Sequence, residues 1–330
     1  MNRTAVASWL ILLLSVTPTP VVSAGLADAS TRQVLLRQDS PQDEPAIERD
    51  ESSGRVSIKA PRNVKVTVDN RTTGRISVTG WDRDTIEARA MSEQGVEYVR
   101  ASVGTDSSGL NVFLKADYAE ESESAARREE TLLPDLESLA SLKALITGRQ
   151  GEGREVHLEV KVPRDAEIGL IKVYRSEVEV TGVGTHIVVS GKQSLIKLSR
   201  VGAVEIRTAS GPVELEEVGG LIDVVTTSGP VRVKNAGGDV RLLSISGDVE
   251  VRCARGRVNV GNANGRVDLL GVGGDVDVTT AGGEIRFAGA IHKDGTYRLK
   301  SMSGPVEMSV GPEPAGFTAV LSSYRGAVDT

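Results

Sequence analysis

Apolar and polar positions alternate through the middle of the chain on a nine-residue period. From Gly202 to Ile291 the period runs through ten consecutive units: GAVEIRTAS, GPVELEEVG, GLIDVVTTS, GPVRVKNAG, GDVRLLSIS, GDVEVRCAR, GRVNVGNAN, GRVDLLGVG, GDVDVTTAG and GEIRFAGAI. Each opens with glycine: Gly202, Gly211, Gly220, Gly229, Gly238, Gly247, Gly256, Gly265, Gly274 and Gly283. The third and fifth positions are apolar in all ten, from Val204 and Ile206 to Ile285 and Phe287, and the fourth is polar. That is the alternation of a strand with one buried face. The eighth position is small or apolar throughout (Ala209, Val218, Thr227, Ala236, Ile245, Ala254, Ala263, Val272, Ala281, Ala290) and is expected to turn inward at the corner. A fixed period with fixed inward positions predicts a solenoid.

A second period lies on the first. Units starting at Gly202, Gly220, Gly238 and Gly274 end in TAS, TTS, SIS and TAG, the intervening ones in EVG, NAG, CAR and GVG, and the unit at Gly256 ends in NAN. The predicted coil therefore has about 18 residues and two strands, with residue i stacked on i+18. On one outer face the stacked fourth positions are Glu214, Arg232, Glu250, Asp268 and Arg286. Opposite charges meet at most of these steps, each cross-strand pair contributing about 0.2–1 kcal/mol. Glycine at every unit start is expected to serve a tight corner with positive φ, and Pro212, Pro230 and Pro305 follow such glycines, where a backbone donor is dispensable. A lone coil buries too few side chains to offset its ordering entropy, so stability must come from stacking, and both ends of the stack need covering.

Upstream the texture changes. Residues 1–24 read as a signal peptide: Arg3, a mostly apolar stretch from Ala5 to Val16, then Val22, Ser23 and Ala24 as a small-residue cleavage site. The apolar run is shorter than the roughly 20 residues a membrane-spanning helix needs, so no transmembrane segment is expected after signal cleavage. Residues 25–53, polar and acidic, read as a disordered linker. Residues 54–175 are β-rich without the nine-residue period: Val56, Ile58, Val64, Val66, Val68, Ile76, Val78 and Ile86 alternate with polar residues, with turns at Asn70–Gly74 and Gly80–Asp84. This region is predicted as a cap rather than as coils, with Trp81 plugging the open end of the solenoid. Inside it, residues 119–153 form a charged insert in which Pro134 and Asp135 open a short amphipathic helix over 135–147. Its apolar residues Leu136, Leu139, Leu142, Leu145 and Ile146 make it a candidate partner-binding helix. Solenoid repeats occupy 176–330, with a small insertion, His292, Lys293 and Asp294, after Ile291. The predicted fold class is all-β: a parallel two-sheet β-solenoid of nine-residue strand units with an N-terminal β-rich cap and a short helical insert.

Charge and chemistry narrow the function classes. The 39 basic and 45 acidic residues give −6, or −7 once Arg3 leaves with the signal (38 against 45). Such a mixed, acidic surface argues against nucleic acid and anionic lipid as partners. Cys253 is the single cysteine, so no intramolecular disulfide forms. His157, His186 and His292 lie in separate segments without a nucleophile or carboxylate at a motif spacing, which leaves a hydrolytic triad unsupported. One cysteine and no paired histidines leave zinc unsupported as well. Gly191 and Lys192 lack the rest of a phosphate-binding loop, because His186 and Gln193 stand where glycine and Ser or Thr are needed. Asp239, Asp248 and Asp275 follow the repeat glycine in only some units, short of a calcium-binding nonapeptide roll. Polysaccharide-cleaving enzymes also use parallel β-helices, but the one aromatic in the ten-unit array, Phe287, falls at an inward position. No catalytic, cofactor-binding or metal residue is assigned, and the chain is expected to be non-enzymatic.

Three motifs occur together: GRISVTGWDRDTIEA (Gly74–Ala88), VKVPRDAEIGL (Val160–Leu170), and a repeated T-x-S-G-x-V beginning at Thr208 and Thr226, with Ser244 replacing the threonine once. Over roughly residues 55–330 this combination resembles the bacterial DUF4097 family, described as adhesin-type proteins with β-strand repeats, from which the 119–153 insert departs. The resemblance implies an exported, envelope-associated β-solenoid that is periplasmic, cell-surface or extracellular, and it supplies no catalytic residues. The expected function is adhesin-like binding or scaffolding through the solenoid faces. The expected partner is an unknown envelope component: wall, surface polysaccharide or protein. An envelope-signalling module that engages a membrane protein through the 135–147 helix is the alternative, and a carbohydrate-active enzyme the third.

Overall fold

The computed structural model describes residues 46–116, apart from 51, 52, 61–63, 71, 94, 98, 107 and 108, then 155–311 and residues 318 and 320. Residues 43–330 make one compact unit. Every element described is a β-strand. The 135–147 helix, the signal segment and most of the linker lie outside the described residues.

The N-terminal strands are β1 (Ile47–Asp50), β2 (Arg55–Lys59), β3 (Lys65–Asn70), β4 (Ile76–Trp81), β5 (Thr85–Ser92), β6 (Gly95–Glu97), β7 (Val99–Asp106), β8 (Gly109–Ala116) and β9 (Val156–Pro163). From β10 the chain winds evenly. One sheet receives β10 (Glu167–Val173), β12 (Ile187–Gln193), β14 (Val204–Ser210), β16 (Ile222–Ser228), β18 (Val240–Ser246), β20 (Val258–Asn264), β22 (Val276–Thr280) and β24 (Tyr297–Ser301). The other receives β11 (Glu177–Thr181), β13 (Leu195–Val201), β15 (Val213–Val218), β17 (Val231–Ala236), β19 (Val249–Ala254), β21 (Val267–Leu270), β23 (Ile285–Gly289) and β25 (Val306–Val310). All neighbours in this series are parallel and 18 residues apart where the repeat is regular, as in Val204 beside Ile222 and Val213 beside Val231. The solenoid and its predicted coil length are therefore present.

The two sheets follow different rules at their C-terminal corners. In strands such as β14 and β16 alternation is unbroken, so positions three, five and seven face inward: Val204, Ile206 and Thr208, then Ile222, Val224 and Thr226. In β13, β15, β17 and β19 the seventh residue adopts a left-handed backbone: Arg200 (φ 53°), Glu217 (55°), Asn235 (55°) and Cys253 (56°). That single step reverses the alternation and swings Val201, Val218, Ala236 and Ala254 into the core. The expectation of an inward eighth position throughout thus holds in only one sheet. In the other, Ala209 and Thr227 are exposed and Ile245 is 55 % exposed.

The unit-start glycines also divide. Gly211, Gly229, Gly247 and Gly265 have φ of 109–142°, whereas Gly202, Gly220, Gly238, Gly256, Gly274 and Gly283 do not have positive φ. For most of the second group the requirement is space: a Cβ on Gly238 would stand 2.6 Å from the Gly220 carbonyl oxygen, and one on Gly274 2.4 Å from that of Gly256. Corners stack at strand separation, and nothing larger than hydrogen fits between the two backbones.

The region predicted as a cap contributes coils after all. Strand β3 pairs in parallel with β10 on one side and β8 on the other, and β4 pairs in parallel with β11 and β9. Two further levels, β3–β4 and β8–β9, therefore lie beneath the regular series, built from segments that are not consecutive. Closure comes from antiparallel strands, with β7 on β8 and with β5, β2 and β1 in turn beyond β9. Trp81 does not plug this end. Ile76, Val78 and Gly80 take the inward positions of β4, so Trp81 points outward. There it is half-buried, its Nε1 donates to the Thr85 carbonyl at 2.7 Å, and Arg83 lies 4.9 Å from the ring centroid.

The interior is a continuous apolar column from Val56 to Phe287. At the far end Phe287 meets Tyr297 edge-on at 5.4 Å, and Val306 and Met308 of the last coil are 46 % and 39 % exposed.

Candidate binding surface

Functional groups on this fold are presented by two outer faces and two corners. The recurring threonines of the T-x-S-G motif are structural: Thr208 Oγ1 donates to the Ser210 carbonyl at 3.1 Å and Thr226 Oγ1 to that of Ser228 at 3.0 Å, each buried beside its corner. The motif serines reach back one coil, with Ser228 Oγ donating to the Ala209 carbonyl and Ser246 Oγ to that of Thr227.

The face of the β11–β25 sheet carries the predicted charge column. Glu214, Arg232, Glu250, Asp268, Arg286 and Glu307 occupy successive registers. Arg232 bridges Glu214 at 3.4 Å and Glu250 at 3.7 Å, and Arg286 reaches Glu307 at 3.6 Å. Further down the stack Glu177 accepts from Lys197 at 3.2 Å and from Arg75 at 2.9 Å. Burial pushes the Glu177 carboxyl up, but these hydrogen bonds outweigh it and hold the group below its usual range. Asp268 behaves oppositely. Burial raises it, Glu250 and Glu284 add to the rise, and Arg266 and Arg286 only partly offset it. Beside it Leu270 and Ala288 replace the charged residues of earlier coils, leaving a shallow depression of about 280 Å³.

The face of the β10–β24 sheet is less charged. Val225, Leu243, Gly261 and Thr279 succeed one another in one column, and Leu243 is 56 % exposed.

The corners explain the aspartates that follow repeat glycines. Asp239 Oδ1 accepts the backbone N–H of Arg257, Asp248 Oδ1 that of Arg266 and Asp275 Oδ1 that of Thr296, all at 2.9 Å. Each caps a donor of the next coil. The Thr296 N–H, with Arg257 at 3.2 Å, keeps the Asp275 carboxyl below its usual range. The three histidines stay apart, with His157 Nδ1 accepting from the Arg75 N–H and His186 and His292 exposed. Among the described residues no group of three or more His, Cys, Asp or Glu is arranged to hold a metal ion, and no helix is long and apolar enough to cross a membrane.

One depression went unassigned at the sequence level. The inserted His292, Lys293 and Asp294 lean against the corners of the two preceding coils and enclose a notch of about 400 Å³ with Arg255, Asp239 and Asp275. Its signal was the break in the 18-residue period.

No curated protein matches the chain. Among solved structures it is similar to a crystal structure of a "putative cell adhesion protein" from Clostridium sporogenes ATCC 15579, at 8 % identity, covering 81 % of this chain and 99 % of that one with a TM-score of 0.21. At that score the likeness carries no argument. The sequence profile of the Toastrack DUF4097 family matches residues 145–329. With more than half of its length matched and the repeat register of the two sheets in agreement, the chain belongs to the DUF4097 (Toastrack) family.

Proposed function

We propose that the protein is exported and acts as a non-enzymatic, adhesin-like attachment or scaffolding protein of the bacterial cell envelope, binding wall, surface polysaccharide or an envelope protein through its outer faces. One observation carries this reading: side chains of successive coils stand in straight columns about 4.8 Å apart, so a polymer lying along the stack meets the same kind of group at every level. Many weak contacts then sum without any single deep pocket. The signal-like residues 1–24 support export. The charged groups on the faces and corners are mostly engaged in cross-coil pairs, which supports a recognition role over an acid–base one.

Co-sedimentation of the purified protein with wall and membrane fractions of the source organism tests this. Saturable retention by either fraction is expected. Failure to bind any fraction overturns attachment, and cleavage of any polysaccharide in a panel of acidic and neutral chains overturns the non-enzymatic assignment.

A further inference from the structure

The stack is regular in register except at one corner. Val258 pairs with Val276, 18 residues on, but Val276 pairs with Tyr297, 21 residues on. The three additional residues, His292, Lys293 and Asp294, are expelled as a turn in which the Gly295 N–H donates to the His292 carbonyl at 3.1 Å and Asp294 takes a left-handed φ of 64°. Core packing does not require them. Phe287, Tyr297 and Leu299 continue the apolar column on either side of the turn.

The expelled turn walls the 400 Å³ notch, whose floor is the backbone of Gly256, Gly273 and Gly274. His292 lies over that floor, its Nε2 3.7 Å from where a Cβ on Gly273 would stand. The cations at the rim are unequal. Arg257 is committed to Asp275 at 3.2 Å, whereas Arg255 and Lys293 make no ion pair among the described residues. Asp239 engages one carboxylate oxygen with the Arg257 N–H and leaves the other without a printed bond, and Asp294 makes no ion pair among the described residues. Two uncommitted cations and an imidazole thus face two carboxylates across a floor without side chains.

We propose that this notch binds one anionic sugar residue of an envelope polymer. Arg255 and Lys293, with His292, hold its carboxylate or phosphate, and Asp239 and Asp294 accept from its hydroxyls. A charge-assisted hydrogen bond is about twice as strong as a neutral one, so the anionic group fixes the position and the hydroxyls fix the orientation. The glycine floor lets the ring approach the backbone closely. The proposal rests on the attachment reading and names its ligand class.

Titration calorimetry of the intact protein uses a galacturonate oligosaccharide, a phosphomannan and a neutral mannan as probes. One or both anionic probes bind and the neutral mannan does not, which also tells carboxylate from phosphate. Affinity drops at least about tenfold when the anion's two cations are lost, as in Arg255→Ala combined with Lys293→Ala. Deletion of 292–294, which restores the 18-residue spacing, gives the same loss with an unchanged melting temperature. Equal binding by wild type and the double variant overturns the site, as does failure of both anionic probes. The same variants in the co-sedimentation experiment separate the two ideas. Retention unaffected by the substitutions leaves attachment standing without this notch, and loss of retention for the wild type as well removes attachment itself.

Discussion

At Gly229 two constraints coincide: a φ of 110° and a carbonyl oxygen, that of Gly211, 2.4 Å from where a Cβ would sit. Gly271 has only a left-handed φ of 64°, and nothing lies closer than 4.0 Å to its absent Cβ. The same corner column accepts Arg200, Glu217, Asn235 and Cys253 at comparable φ. Gly229→Ala is therefore expected to destabilise by about 3 kcal/mol or more, and Gly271→Ala by about 1 kcal/mol. Thermal melts of the two variants check this, and equal losses would show that φ alone decides the cost. Cys253 is exposed at one of these left-handed positions, so its residue type is not demanded by packing.

Within a strand pair the outward columns set the electrostatics, and Asp268 marks their weakest step. Glu250 stands beside it in register, and Arg286 turns toward Glu284 at 2.8 Å and Glu307 at 3.6 Å. With the folded-state pKa of Asp268 raised by burial and by its acidic neighbours, the ionised carboxylate opposes folding near neutral pH. The stabilising contribution of the protonated form is present below the unfolded pKa of about 3.9 and is lost as pH rises through the folded value. Asp268→Asn should accordingly raise the unfolding midpoint at neutral pH and leave it unchanged below the carboxylate range. A lower midpoint at neutral pH would mean that Asp268 makes a favourable pairing. Glu177, depressed by Lys197 and Arg75, has the opposite sign: its contribution is present above the unfolded value and fades as pH falls through the folded one.

For the molecule as a whole, each coil is stabilised mainly by its neighbours, so opening free energies should be highest in the middle of the stack. Hydrogen exchange is expected to be slowest in β16–β19 and fastest, among the coil strands, in β24 and β25, whose inward Val306 and Met308 are only partly covered. Uniform exchange would indicate one cooperative unit. Sequence alone determined the solenoid, its two-strand coil, the inward third and fifth positions and the charge column, because a period of 18 forces chemically similar residues onto one another. Even the notch announced itself as a three-residue break in that period. Tertiary structure decided what depends on non-consecutive contacts or on backbone conformation. It placed β3–β4 and β8–β9 as further levels, since their parallel partners lie far away in the chain. It turned Trp81 outward, and it split the repeat glycines into those needing positive φ and those needing only room. The two corner geometries share the same apolar spacing, and a single left-handed residue separates them, so no hydrophobic pattern could distinguish one from the other.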